Sequence, residues 1–420
     1  MRLLTTTALC VLTASAAHAV EEAQVLTTYA DIAAASYGDS LTTARQLQQA
    51  VQTLVQDPSA NTLQKARDAW LAARVPYQQT EVFRFGNPIV DEWEGKVNAW
   101  PLDEGLIDYV DAAGPAPTEG YDENPAAGLN VIANPALSIS GQTVDAATIT
   151  PDLLENTLQS ANGAEANVAT GYHAIEFLLW GQDLGPYDAT AGQRPWTDFA
   201  KGDACTNDNC DRRGEYLNAA TDLLVADLEF MAAAWAPEGE ARTSIMQDQD
   251  GVNRILTGMG SLSYGEQAGQ RMQLGLMLND PEEEHSCFSD NTHNDHFYDA
   301  LGVRNIYEGT YTGIDGSVTT GASLRELVAE KDAGVADALA QSLDRTQFQM
   351  VRVKTAAEAG MRYDMMLDPG NEAGGQLIQD AIDGLIAQTR DIERAVAALG
   401  RDAIAFEGSD SLDDPEAVFQ

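Results

Sequence analysis

The sequence predicts an all-α protein made of two helical-bundle domains of the four-helix-bundle kind, with long irregular loops. Three observations predict it. Apolar residues recur at three- and four-residue intervals through long segments rich in Ala, Leu and Gln, the pattern of amphipathic helices. Strand-like alternation is nearly absent. About 400 residues follow the N-terminal leader, more than one core organises, since single cores stop growing near ~250–300 residues.

Taken in order, the chain opens with Arg2, an apolar run over 3–17 broken only by threonines and Ser15, and a small-x-small ending at Ala17-His18-Ala19. That is the pattern of a secretory signal peptide over 1–19, cleaved after Ala19. A lipoprotein anchor at Cys10 is the competing reading, weakened because Leu9 directly precedes the cysteine. No later stretch approaches the ~20 unbroken apolar residues of a membrane span, so no transmembrane segment is expected in the mature chain.

Helices are expected over 25–55, 59–83, 153–180, 212–235, 252–278, 323–350 and 374–399. Asp57-Pro58-Ser59 separates the first two, and Pro237 through Gly239 ends the one after Trp235. Two long irregular regions are expected, 86–151 and 280–317, and loops of that length inside helical domains usually serve a function. The Gly-, Pro- and Asp-rich stretch 181–211 reads as the connection between an N-terminal bundle over 20–195 and a C-terminal bundle over 210–420. Each half has helices followed by a polar loop, FRFGNP in one and LNDPEEEH in the other, which suggests an ancient duplication.

Lys and Arg number 24 against 65 Asp and Glu, for a net charge of −41. Nucleic acid and anionic membrane surfaces are therefore poor partners, and no nucleic acid is expected. The excess is spread along the whole chain, as a solubility device would be, although it would also gather cations. Past the leader, Cys205 and Cys210 are close enough to bridge in an oxidising compartment, which would leave Cys287 free. A thiolate metal site lacks the C-x-x-C spacing.

The segment GYHAIE, 171–176, places His173 and Glu176 three residues apart, on one helix face. Ala174, Ile175, Phe177, Leu178, Leu179 and Trp180 leave that helix almost no polar face, so it should be buried. A buried carboxylate must find a partner or be protonated. The pair either satisfies itself inside a core or binds a metal, as the reversed Glu-x-x-His spacing does in di-iron bundles. The spacing is chemically competent but not specific.

GYHAIEFLLWGQD resembles the GxHxxE signature of the imelysin family, particularly members called iron-regulated protein A. The resemblance continues through FRFGNPIVDEWEGKVNAWPLDEGLIDY and HSCFSDNTHNDHFYDALG. It implies two helical bundles, export to the periplasm or outer membrane, and a link to iron uptake, with an outer- or inner-membrane uptake partner. It carries Gly171, His173 and Glu176 onto the motif, with Gly171 serving close packing. Related periplasmic proteins of ferrous-iron uptake add two acidic residues, which fall on Glu81 and Asp103. Three carboxylates and an imidazole suit iron, manganese or zinc better than calcium. Iron, as an ion or a small chelate, is the expected ligand.

Asp91 and Glu92 are weaker candidates for the same role. A second polar loop gathers His285, His293 and His296 with Asp290 and Asp295, either as ligands or as turn and capping residues. Methionines 259, 272, 277, 350, 361, 365 and 366 would favour copper if they were ligands rather than core filler. The family's name comes from a member described as an insulin-cleaving metallopeptidase, so peptidase activity is an alternative. The H-E-x-x-H arrangement of zinc peptidases is absent here. A third alternative is an interaction module with a structural metal.

Overall fold

The computed structural model describes residues 19–111, 124, 126–185, 187–188 and 190–419; apart from Ala19, the expected leader lies outside them. Helix α1 (Glu22–Gln56) starts at a capping box formed by Glu21 and Gln24, and buries a stripe that includes Tyr29, Tyr37, Leu47 and Leu54. After the Asp57-Pro58-Ser59 turn the chain returns as α2 (Ala60–Gln78), capped by the Ser59 hydroxyl, which accepts from the Thr62 amide at 3.2 Å. Pro76 removes one backbone bond from the last turn of α2. The helix accordingly stops short of residue 83, and a 3-10 turn, Glu81–Phe83, takes over.

Helix α3 (Pro88–Val97) uses its proline at the first position, where no backbone donor is missed. The region expected as one helix over 153–180 is broken. A short helical stretch at Pro151–Leu158 gives way where Ser160, Asn162 and Gly163 take positive φ, and only Gly171–Trp180 forms α4. Helix α5 (Cys210–Ala234) closes a four-helix group with α1, α2 and α4. The helix that follows the 181–211 connection thus packs on the helices before it.

The second group begins with α6 (Gly251–Ser261), which runs without interruption into a π-helix, Leu262–Gln273, and a last α-turn, Leu274–Leu278. Against the π-helix stand α7 (Thr292–Glu308) and α9 (Glu372–Ala398), and α8 (Ala333–Glu358) packs on both of them. The helix α7 occupies a region expected to be irregular. Its inward residues are polar, among them Thr292, His293, Asp295, His296 and Asp299, so it carries no apolar stripe to announce it. The helix expected over 323–350 is split, because Asp332 caps α8 through the amides of Gly334 and Val335.

Strands among the described residues are confined to two antiparallel hairpins, β1 (Ala136–Ile139) with β2 (Gln142–Asp145) and β3 (Thr310–Thr312) with β4 (Val318–Thr320). The larger apolar core draws on both helical groups, from Tyr29 and Trp70 to Leu256, Leu339 and Ile392. A smaller one inside the second group contains Met272, Met350 and Met366, which act as filler there. Cys205 and Cys210 are bridged and Cys287 is free. Among the described residues no helix is long and apolar enough to cross a membrane.

Two features fasten the π-helix. On one side the C-terminal segment lies against its glycines: a β-carbon at Gly265 would sit 2.5 Å from the Glu407 carbonyl oxygen, and one at Gly269 2.3 Å from the Ser409 β-carbon. On the other side Arg271 reaches Glu81 at 2.7 Å, Glu266 at 2.7 Å and Asp299 at 3.1 Å, tying the first group to α7. Removing one partner of a buried ion pair costs about 3–5 kcal/mol, because the other charge is left uncompensated. Arg271→Met should therefore lower the unfolding free energy by about that amount in urea titration. An unchanged midpoint would mean that the three carboxyls do not need the guanidinium.

Candidate functional site

The site forms where α2, α4, α7 and the 284–291 loop meet. All ten residues of α4 are buried. Its first residue, Gly171, stands at φ +80°, and a β-carbon there would lie 2.5 Å from the Val97 carbonyl oxygen. Only glycine permits this entry, which sets α4 against the end of α3. Thr170 fastens the same junction by donating its hydroxyl to the Lys96 carbonyl at 2.8 Å.

Two turns of physics then fix the histidines. On α4, His173 Nδ1 lies 2.9 Å from Glu176 Oε2, while the other glutamate oxygen accepts from the Ser289 amide at 3.0 Å and hydroxyl at 2.7 Å. Opposite, His285 Nδ1 lies 3.1 Å from Asp295 Oδ2, an oxygen that also accepts the Ser286 hydroxyl. The two imidazoles meet edge to face, with centroids 4.8 Å apart. Each ring is thus oriented through Nδ1 by a carboxyl group, and each Nε2 is buried without a partner. A carboxylate behind one ring nitrogen is the arrangement that fixes tautomer and orientation in metal-ligating histidines.

Arg74 supports the second pair from beneath. Its Nε is 3.4 Å from Asp295 Oδ1, its Nη1 donates to Asn98 Oδ1 at 2.6 Å, and its guanidinium lies 4.9 Å over the Tyr172 ring. Burial would raise the Asp295 carboxyl, but Arg74, His285 and Ser286 outweigh it and hold it well below the usual range. Burial and the nearby Arg271 push His285 down to about 4, so it is neutral and donates Nδ1–H to Asp295. Its Nε2 therefore carries a free lone pair. Burial lifts Glu176 to about 8, against the Ser289 bonds, and burial with the neighbouring His285 lowers His173 well below its ordinary value. Trp100 covers the pair, with its ring 5.7 Å from that of His285 and its Nε1 donating to the Glu284 carbonyl at 2.9 Å.

Of the expected ligands, the structure brings together His173, Glu176 and His285. Glu81 is committed to Arg271, a bond that any cation would have to displace. Asp103 accepts from the Asn124 amide and begins the short helix Glu104–Ile107. Asp91 is exposed and pairs with Arg84 at 3.0 Å, and Glu92 is exposed. His293 touches Asn294 through Nε2, and neither nitrogen of the buried His296 has a partner. Asp290 lies 3.9 Å from Arg362, with its other oxygen unpartnered. Among the described residues no three His, Cys, Asp or Glu side chains are arranged to hold an ion by themselves. Arg74 and the orienting role of Asp295 escape a reading of the sequence. The available signal was an arginine set among the apolar positions Trp70, Ala73 and Tyr77 of α2.

A family model described as Imelysin matches residues 33–392. The chain belongs to the imelysin family. A segment of 72 residues is 43% identical to iron-regulated protein A of Synechococcus elongatus, a match spanning 17% of this chain and 20% of that relative. Two solved structures share the fold. An iron-regulated protein A precursor of Parabacteroides distasonis is 16% identical with a TM-score of 0.58, over 90% of this chain and 97% of its own. An imelysin-like protein of Psychrobacter arcticus is 18% identical with a TM-score of 0.55, over 93% and 99%. This imelysin-family chain therefore holds the GxHxxE segment at the contact between its two helical groups.

Two outcomes follow for stability. Gly171→Ala should cost about 2 kcal/mol or more, from the left-handed backbone together with the clash on Val97, read as a lower urea midpoint. Glu94, Glu104, Glu283, Asp290 and Asp364 are each raised to about 7, chiefly by burial, and Glu176 to about 8. In the unfolded chain these groups ionise near their ordinary values, so the folded state holds more protons and stability falls as pH rises towards 8. The buried histidines act in the opposite sense, but only below about 6.5, their ordinary value. Thermal melts should therefore give a Tm a few degrees lower at pH 8 than at pH 6.5; an equal or higher Tm at pH 8 would refute the proton inventory.

Proposed function

We propose that this protein captures iron at the His173–His285 pair, in the periplasm or at the outer membrane, and hands it to a membrane uptake partner. The observation that carries the reading is the pair of buried imidazoles, each held at Nδ1 by a carboxyl group and each with an unpartnered Nε2; Glu176 holds its proton near neutral pH, so metal binding at His173 releases it. Neutral imidazole suits iron, zinc, manganese and copper, and the names of the relatives favour iron among them. Two side-chain ligands leave several coordination positions for water or for a small chelator travelling with the ion. A carrier needs such an open site, because the cargo must leave again. In this reading Glu176 and Asp295 are positioning residues, and the earlier candidates Glu81 and Asp103 have structural roles.

Iron content and ferrous-ion affinity of the purified protein test the reading, with the wild type beside His173→Ala/His285→Ala and Glu176→Gln. The double variant should lose binding, and Glu176→Gln should bind about 10- to 100-fold more weakly while keeping the same stoichiometry. Equal affinity in all three proteins would overturn the site. Removing the metal separates a carrier from a module with a structural ion: the carrier keeps its helical circular dichroism, whereas the module melts.

A further inference from the structure

A cavity of about 610 Å³ is lined by Trp100, whose indole also meets the His285 ring. Its other walls are the end of the π-helix with the turn after it and, opposite, the C-terminal segment at Ser409–Ser411 and Val418. Its charged lining is Asp280, Glu283 and Asp410, and no Lys or Arg borders it among the described residues. Trp100 is half-buried, and its indole N–H makes a single hydrogen bond, to the Glu284 carbonyl. The Trp100 indole therefore touches both the acidic chamber and the His285 ring.

We propose that this cavity is the antechamber of the His173–His285 site, that Trp100 is the partition between them, and that the iron enters as a hydrated cation rather than as an anionic complex. The inference rests on the reading of the site given above. An ion with six waters fills roughly 200 Å³ at about 30 Å³ per water, so the chamber holds it with its first shell intact. Asp280 and Asp410, joined by Glu283 as it ionises above about pH 7, place charge of one sign in a concave, partly dehydrated space that attracts such an ion and repels a ferric complex of net negative charge. A second cavity, of about 380 Å³ beside Gly181–Gly185, also has carboxylates, Asp111, Asp183 and Asp188, but Arg194 stands among its walls. It offers an internal control.

The test is stopped-flow association of Mn²⁺, an air-stable probe, followed by tryptophan quenching at low ionic strength. Glu283→Gln/Asp410→Asn should slow association five- to ten-fold and flatten its salt dependence, whereas Asp183→Asn/Asp188→Asn should leave it within two-fold. Trp100→Ala should speed both entry and release at least ten-fold. Ferric citrate, an anionic complex, should bind the wild type more slowly than Mn²⁺ does. Should the double variant fold poorly by circular dichroism, each single substitution is measured, and a two- to three-fold slowing is expected of each. Unchanged rates in the antechamber variants, equal slowing in the control, or faster binding of ferric citrate would overturn the route and leave the imidazole site standing. A wild type that binds no Mn²⁺ at equilibrium would overturn the site and the route together.

Discussion

The Arg74–Asp295 ion pair is the interaction on which the rest of the site depends. It lies in the interior, where an isolated charge is costly, and each partner is present because the other is. Asp295, kept ionised, fixes the tautomer of His285; His285 sets the face that His173 meets; and His173 leans on Glu176, which Ser289 holds from the other chain segment. The arginine comes from α2 and the aspartate from α7, so the same bond brings the two helical groups into register. Stability and the geometry of the site are therefore not separable here. A change that loosens the α2–α7 contact would disturb the orientation of His285 together with the packing of the two groups.

Much of the fold was legible in the sequence, because most helices bury apolar stripes. The expected helices over 25–55, 212–235 and 374–399 fall within a few residues of α1, α5 and α9. The failures share a cause. Helix α7 turns His293, Asp295, His296 and Asp299 inward, so a method that looks for apolar periodicity sees turn-forming residues and reads a loop. The break before α4 is dictated by Asn162 and Gly163 in left-handed backbone, a local choice that apolar spacing does not record. In the site, the family signature located His173 and Glu176, and the histidine count located His285. The division of labour between ligand-capable nitrogens and orienting carboxylates was invisible, because it depends on which ring nitrogen faces which oxygen.

The acidic composition covers two populations of carboxyl groups. Many are exposed at the surface. The others, such as Glu94, Glu104, Asp290 and Asp364, lie inside and hold their protons to near neutrality because burial penalises the ion. The net charge of −41 counts every carboxyl as ionised, and so overstates the charge of the folded molecule at pH 7. The interior around the histidines is closer to neutral than the composition implies.

The π-helix gives residue number a meaning of its own. In an α-helix each residue turns the chain by about 100°, whereas the wider π-turn turns it less, so Leu262–Gln273 and the segment after it face directions that an α-helix of the same sequence would not. Gln267 and Arg271 point into the bundle, and Gly265 and Gly269 towards the C-terminal segment, by virtue of that slower winding. Removal of about two residues from this stretch would let it relax into α-geometry over the same rotation. Arg271 would then swing away from Glu81 and Asp299, although every side chain in the junction remained chemically intact. In this stretch the information lies in the length of the chain as much as in its letters.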